Sequence, residues 1–254
     1  MIIESAFYKL PDYSLTEEKP QLSSEGQLVS YFSLAIFLEL QNRGVMSPFL
    51  NIQLEKRYPI RKRAQVDIFV KIPWLEGLVT KSNKILAADY YHIFKENWIE
   101  VKFFGAIEKL KKKEKIGHKT DNVFEIINEL LRLRFYTPLN NGRYFLIGFN
   151  RKPQDYLAFS KSRKERKYLK ELFQMGEHKI KFNLTDEPKG LKEKISKNWK
   201  KELNLKNINS LPIKFELLIS TLKIEPKGAF TLPDRPCFWL YLIKLPPQPD
   251  EMRI

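Results

Sequence analysis

A run apolar enough to lie in a core, yet carrying a carboxylate and an ammonium, is a severe constraint on any fold. Asn97-Trp98-Ile99-Glu100-Val101-Lys102-Phe103-Phe104-Gly105 is such a run. Its aromatic and β-branched alternation predicts a strand. Successive strand side chains point to opposite faces, so Trp98, Glu100, Lys102 and Phe104 share one face and Ile99, Val101 and Phe103 the other. The earlier run Arg63-Ala64-Gln65-Val66-Asp67-Ile68-Phe69-Val70 reads the same way, with Val66, Ile68 and Val70 on one face and Asp67 on the other. Charges inside core-like strands are expensive to bury and mark a site. The alternative is a cross-strand ion network, Asp67 with Lys102 and Glu100 with a nearby arginine.

Glu-x-Lys alone carries no weight in so lysine-rich a chain. It also occurs at Glu17, Glu165, Glu177, Glu187 and Glu225, but only at Glu100 does it lie inside an apolar strand pattern. Asp67 is likewise the one aspartate flanked by apolar residues at strand alternation.

Around these strands the chain orders itself. Residues 1–22 read as an irregular arm or short cap, given Pro11, Pro20 and Glu17-Glu18. Ser23 or Ser24 opens a helix to about Asn42, stopped by Gly44 and Pro48. Glu39 lies nine residues after Ser30, about 900° of rotation, opposite the polar stripe and among Leu28, Phe32, Ala35 and Ile36. A carboxylate there needs a cation for company, or snorkels out near the helix end. Phe49–Arg57 and Arg63–Ile72 predict an antiparallel hairpin around Tyr58-Pro59. Residues 74–96 form an insertion, helical over 84–95. A helix from Thr120 or Asn122 to Phe135 and an apolar central strand at Tyr144–Phe149 follow. A basic helix is expected over Ser160–Gln174, then a lysine-dense stretch around Trp199. Late strands at 214–224 and 237–244 either extend the sheet or form a small lobe.

The fold class is therefore α/β, a mixed central sheet flanked by helices in α-β-β-β-α-β order with a C-terminal extension. The 254 residues suit a single domain, with a core over about 23–150 and a basic extension over about 151–254. The 45 Lys and Arg against 30 Asp and Glu give a net charge of +15, which favours a polyanionic partner, nucleic acid first and an acidic membrane surface second. One cysteine, Cys237, excludes an internal disulfide and a cysteine-cluster zinc site. Its strand-like setting predicts a buried core thiol rather than a nucleophile. No run of about 18 apolar residues or signal-peptide pattern is present, so a soluble, cytoplasmic, prokaryotic-type protein is expected.

A helix with an inward glutamate, a hairpin bearing an aspartate, Glu-x-Lys on the next strand, then helix and strand, resembles the PD-(D/E)xK nuclease superfamily, most closely type II restriction endonucleases. The resemblance covers about residues 23–150. It implies a restriction-endonuclease-like core in which Asp67 binds metal, Glu100 is the second acid, Lys102 is the lysine and Glu39 is the optional helix glutamate. Val66 stands where the family often has proline, and the spacing from Asp67 to Glu100, 100 − 67 = 33, is long and implies the 74–96 insertion.

The resemblance further implies Mg²⁺, with Mn²⁺ as a substitute, held by Asp67, Glu100 and the backbone carbonyl of Val101, and hydrolysis of double-stranded DNA, often by a homodimer. Lys111, Lys112, Lys113, Lys119, Lys161, Arg163, Lys164, Arg166 and Lys167 are then the expected phosphate contacts, with a further basic stretch at 189–206. The competing expectations are a nonspecific DNase or RNase of defence or repair, a non-catalytic nucleic-acid-binding protein, and a protein–protein module whose charge is incidental.

Overall fold

The computed structural model describes residues 2–14, 22–61, 63–72, 94–105, 119–161, 164–184, 189–203, 214–225 and 237–247. Its centre is a seven-stranded mixed sheet. The strands are β1 (Ile52–Arg57), β2 (Gln65–Lys71), β3 (Glu96–Phe104), β4 (Gly142–Phe149), β7 (His178–Asn183), β8 (Lys214–Ile224) and β9 (Phe238–Lys244), in the spatial order β1-β2-β3-β4-β9-β8-β7. A two-residue ladder of β5 (Ser160–Lys161) and β6 (Lys164–Glu165) stands apart.

β3 and β4 pair in parallel, Glu100 opposite Phe145 and Lys102 opposite Ile147, and the other neighbours are antiparallel. A parallel pair needs a crossover, and α4 (Lys119–Tyr136) supplies it. β4 is the middle strand, and all eight of its residues are buried, as its unbroken apolar run requires.

Each face of the sheet has its own core. α3 (Glu25–Asn42) covers Ile68, Val70, Ile99, Val101, Tyr144 and Leu146 with Leu28, Phe32, Ala35 and Ile36. Ser24 caps it, its hydroxyl accepting the Gln27 amide at 3.2 Å, and Gly44 (φ +81°) takes the left-handed turn beyond its end. The opposite face is covered by α4, through Val123, Phe124, Ile127, Leu130 and Leu131, and by α7 (Lys189–Leu203), through Leu191, Ile195 and Trp199. The spacing of those last three residues is that of one helical face.

Several local expectations are corrected. The first residues are not an irregular arm: α1 (Ile2–Tyr8) and α2 (Leu10–Ser14) pack on α3. Ile2, Ile3, Ala6, Phe7 and Leu10 recur at helical spacing and are buried, and Pro11 sits in the first turn of α2, where proline is tolerated. Phe49 belongs to a short 3₁₀ turn, Pro48–Asn51, so β1 starts only at Ile52. The helix expected over 160–174 shrinks to α6 (Lys167–Leu172), because Ser160–Glu165 contains no apolar residue to anchor a helix to the core. The one-turn helix α5 (Pro153–Tyr156) precedes the small ladder. β8 and β9 extend the main sheet rather than forming a lobe. Cys237 is half-buried at the edge of β9, not a core thiol. The insertion, with its expected helix over 84–95, lies almost wholly outside the described residues.

Gly148 lies where β4 passes under α3. A Cβ there would come within 2.9 Å of both Leu28 Cδ2 and Phe103 Cδ2. Gly148→Ala is therefore expected to destabilise the fold by about 1–3 kcal/mol through overpacking, read as a lowered midpoint in urea denaturation.

Candidate functional site

β2 and β3 run as an antiparallel pair from Lys71–Glu96 to Ile68–Ile99 and then part. The next rung would pair Asp67 with Glu100. Instead the Asp67 side chain accepts the Val101 amide, 2.6 Å from Oδ2. On its other side the β1–β2 pairing keeps one register, Leu54–Ile68 and Lys56–Val66, and Glu55, the residue opposite Asp67, has φ +51°. Asp67 thus borders the gap left where β3 leaves β2 and lies opposite a backbone distortion in β1, of the kind found at functional sites. A strand residue's N–H and C=O leave on the same edge, so the Val101 carbonyl faces this gap too.

Glu100 is 2% exposed, on the face of β3 that looks toward α4. Its Oε1 accepts the Tyr58 hydroxyl at 2.7 Å and lies 3.4 Å from Arg132 Nη1. Asp67 lies close enough to Glu100 that its negative charge disfavours ionisation of the Glu100 carboxyl. Arg132 also pairs with Glu129, Nη1 to Oε2 at 2.7 Å, although that oxygen is outside hydrogen-bond alignment. Lys102, 28% exposed, lies 3.5 Å from Glu25 on the first turn of α3 and 3.4 Å from Glu125 on α4.

The electrostatics follow from crowding. Burial pushes Asp67 up, partly offset by the Val101 amide, Glu100, Arg132 and Lys102. Burial also lifts Glu100 well above the carboxylate range, aided by the charges of Glu129 and Asp67 and opposed by Arg132. Glu129, ordinarily at 4.5, is pushed up to about 7, chiefly by burial, with Asp67 and Glu25 adding to the rise. Burial would lower Lys102, but the surrounding glutamates outweigh it and hold the ammonium charged. Five carboxylates (Glu25, Asp67, Glu100, Glu125, Glu129) face two cations (Lys102, Arg132). With all ionised the centre is −5 + 2 = −3, inside a chain of net charge +15.

This bears on Mg²⁺. Among the described residues no three His, Cys, Asp or Glu side chains are grouped closely enough to form a metal cage by themselves. The donor set is a pair, Asp67 and Glu100, beside the Val101 carbonyl, all hard oxygens. Two neighbouring carboxyls within a centre of negative formal charge have the chemistry of a divalent-cation site that retains water ligands.

The structure thus brings Asp67, Glu100, Val101 and Lys102 together and leaves Glu39 elsewhere. Glu39 is buried as its helical phase demands, but Lys9 (2.6 Å) and Arg43 (2.8 Å) take its two oxygens. Burial raises its pKa, and these hydrogen bonds outweigh that and hold it below the usual range. The α3 residue at the site is Glu25, 14 positions earlier and about 21 Å away along the helix. The ion-network alternative is half realised. Glu100 does meet an arginine, but Lys102 turns to Glu25 and Glu125 rather than to Asp67. Tyr58, Glu125, Glu129 and Arg132 were not singled out in the sequence. The spacing Glu125, Glu129, Arg132 on one helical face was the available signal.

The expected phosphate contacts are scattered. Lys111, Lys112, Lys113 and Arg163 lie outside the described residues. Lys161 and Lys164 pair backbones in the small ladder, and Lys167 is exposed at the start of α6. Lys119 begins α4 and donates to the Gln154 carbonyl at 2.7 Å. Arg166 is a correction: it is 4% exposed and donates to the Ala158 carbonyl at 2.5 Å, so it braces the fold instead of facing solvent. In the 189–206 stretch α7 buries its apolar stripe and exposes Lys189, Lys194 and Lys197.

No protein-family model, curated protein or solved structure matches the chain.

The raised value of Glu129 has a stability consequence. A proton held more tightly by the folded than the unfolded chain stabilises the fold fully below the unfolded value of 4.5, and that contribution is lost as pH rises through about 7. Between pH 5 and pH 8 the parent should therefore lose stability that Glu129→Gln, unable to ionise, retains. Denaturant midpoints across this range would show it, and parallel slopes for the two proteins would refute it.

Proposed function

We propose that the chain is a Mg²⁺-dependent endonuclease of restriction-endonuclease-like fold that hydrolyses phosphodiester bonds of double-stranded DNA, in the manner of a sequence-specific restriction enzyme. The observation that carries the reading is the Asp67 carboxylate seated on the Val101 amide, between Glu100 and Lys102, where β2 and β3 part. The run α3-β1-β2-β3-α4-β4, with β4 parallel to β3, supports it as the scaffold this chemistry uses.

Asp67, Glu100 and the Val101 carbonyl would hold Mg²⁺, or Mn²⁺ in its place. A cation bound there supplies charge for a phosphate oxygen and makes a water more acidic. The chain's own residues do the rest. Lys102 keeps its proton at Nζ, where it can donate to the attacking water or to the oxygens of the phosphorane-like transition state. Glu25 and Glu125 hold that ammonium beside β3. Exposed lysines on α6 and α7, with a net charge of +15, supply a salt-sensitive hold on the nucleic-acid backbone.

A non-catalytic nucleic-acid-binding protein is the second reading. It draws support from the Glu100–Arg132 contact and the pairing of Lys102 with two glutamates, which give each charge a partner within the protein.

Plasmid and linear duplex DNA incubated with Mg²⁺ or with EDTA separate the two. The parent should cut only with Mg²⁺, and folded Glu100→Ala and Lys102→Ala variants should lose about 10²-fold or more of the rate. Discrete fragments are expected, and a smear would indicate a nonspecific nuclease. DNA that is bound but never cut favours the second reading.

A further inference from the structure

Glu100 is held at one oxygen, Oε1, and both residues that hold it, Tyr58 and Arg132, lie far from it in sequence. Tyr58 follows β1, its amide donating to the Ala64 carbonyl at 3.0 Å across the β1–β2 turn. The side chain is 1% exposed. Its ring stacks on Trp98 (centroids 5.1 Å, planes 14° apart) and meets Tyr136 of α4 edge-on at 5.6 Å. Three elements, the turn, β3 and α4, therefore fix the direction of one hydroxyl. That hydroxyl donates to Glu100 Oε1 at 2.7 Å, the same oxygen that Arg132 approaches. Burial keeps the phenol protonated, so it acts toward Glu100 as a donor. Trp98 lies two residues before Glu100 on the same face of β3, so the ring beneath the phenol and the acid above it share one rigid strand.

We infer that Tyr58 is a positioning residue of the site: by taking Oε1 it locks the carboxyl of Glu100 in the orientation that presents Oε2 toward Asp67 and a divalent cation. The inference rests on the metal-site reading given above and goes beyond it by assigning the residue that orients the second acid. A buried carboxylate without that bond can rotate, and a ligand that must first be oriented binds its cation more weakly.

The test is calorimetric titration of the metal-free protein with Mn²⁺, beside Tyr58→Phe and Glu100→Gln, with no nucleic acid present. The phenylalanine variant keeps the stack on Trp98 and removes one oxygen. Parent binding should be lost in Glu100→Gln and weakened roughly 10–100-fold in Tyr58→Phe, while circular dichroism shows both variants folded. A purely structural role predicts a lower melting temperature with unchanged Mn²⁺ affinity, and that result overturns the inference while leaving the metal site standing. If instead Mn²⁺ binds parent and Glu100→Gln alike, or neither, the metal-site reading fails and the inference fails with it. Should Tyr58→Phe fail to fold, Tyr58→Trp and Tyr136→Phe test the same point: the first removes the phenol from the packed position and should weaken binding, the second leaves it in place and should not.

Discussion

The parting of β2 from β3 beyond Ile68–Ile99 is the constraint on which the rest of this structure depends. A continued ladder would set Asp67 opposite Glu100 and give the Val101 amide to the Val66 carbonyl. The amide of Val101 then would not be available to a side chain. Because the strands separate, the Asp67 carboxylate takes that amide and lies beside Glu100, itself 2% exposed. An orphaned strand amide and an isolated buried carboxylate are each costly, and here each relieves the other.

That economy leaves an excess of negative charge, and the surrounding elements are arranged to hold it. α4 brings Glu125, Glu129 and Arg132 over β3, and α3 begins with Glu25 beside Lys102. Arg132 spans Glu129 and Glu100, so one guanidinium compensates two carboxyls on different elements. The remainder adds to the upward push that burial already gives Glu100 and Glu129. Protons are a pH-dependent substitute for a fixed cation. The layers that build the hydrophobic cores on the two faces of the sheet are thus also the layers that deliver the charges.

How much of this was legible in the chain differs by level. The sheet's middle strand was plain in Tyr144–Phe149, because only a strand buried on both faces tolerates an unbroken apolar run. The β1–β2 hairpin and the α4 crossover were legible for similar reasons of periodicity. The N-terminal helices were hidden by two prolines, which read as breakers although one of them sits in a permitted first-turn position. Glu39 was placed by phase in a buried position, which is correct, but phase does not say which cation waits there. Lys9, 30 positions away, does.

The sequence by itself determined that Glu100 and Lys102 share a face of a core strand and that Asp67 interrupts another, because side-chain direction along a strand alternates regardless of what surrounds it. It determined, too, that the flanking helices would be amphipathic and the whole strongly basic. Only the tertiary structure decided which charges meet. Glu25 with Lys102, and Glu100 with Tyr58 and Arg132, are joined through contacts spanning tens of positions, and no local periodicity encodes them. The reason is physical: alternation and helical phase are properties of short chain segments, whereas the meeting of charges depends on how separate elements pack.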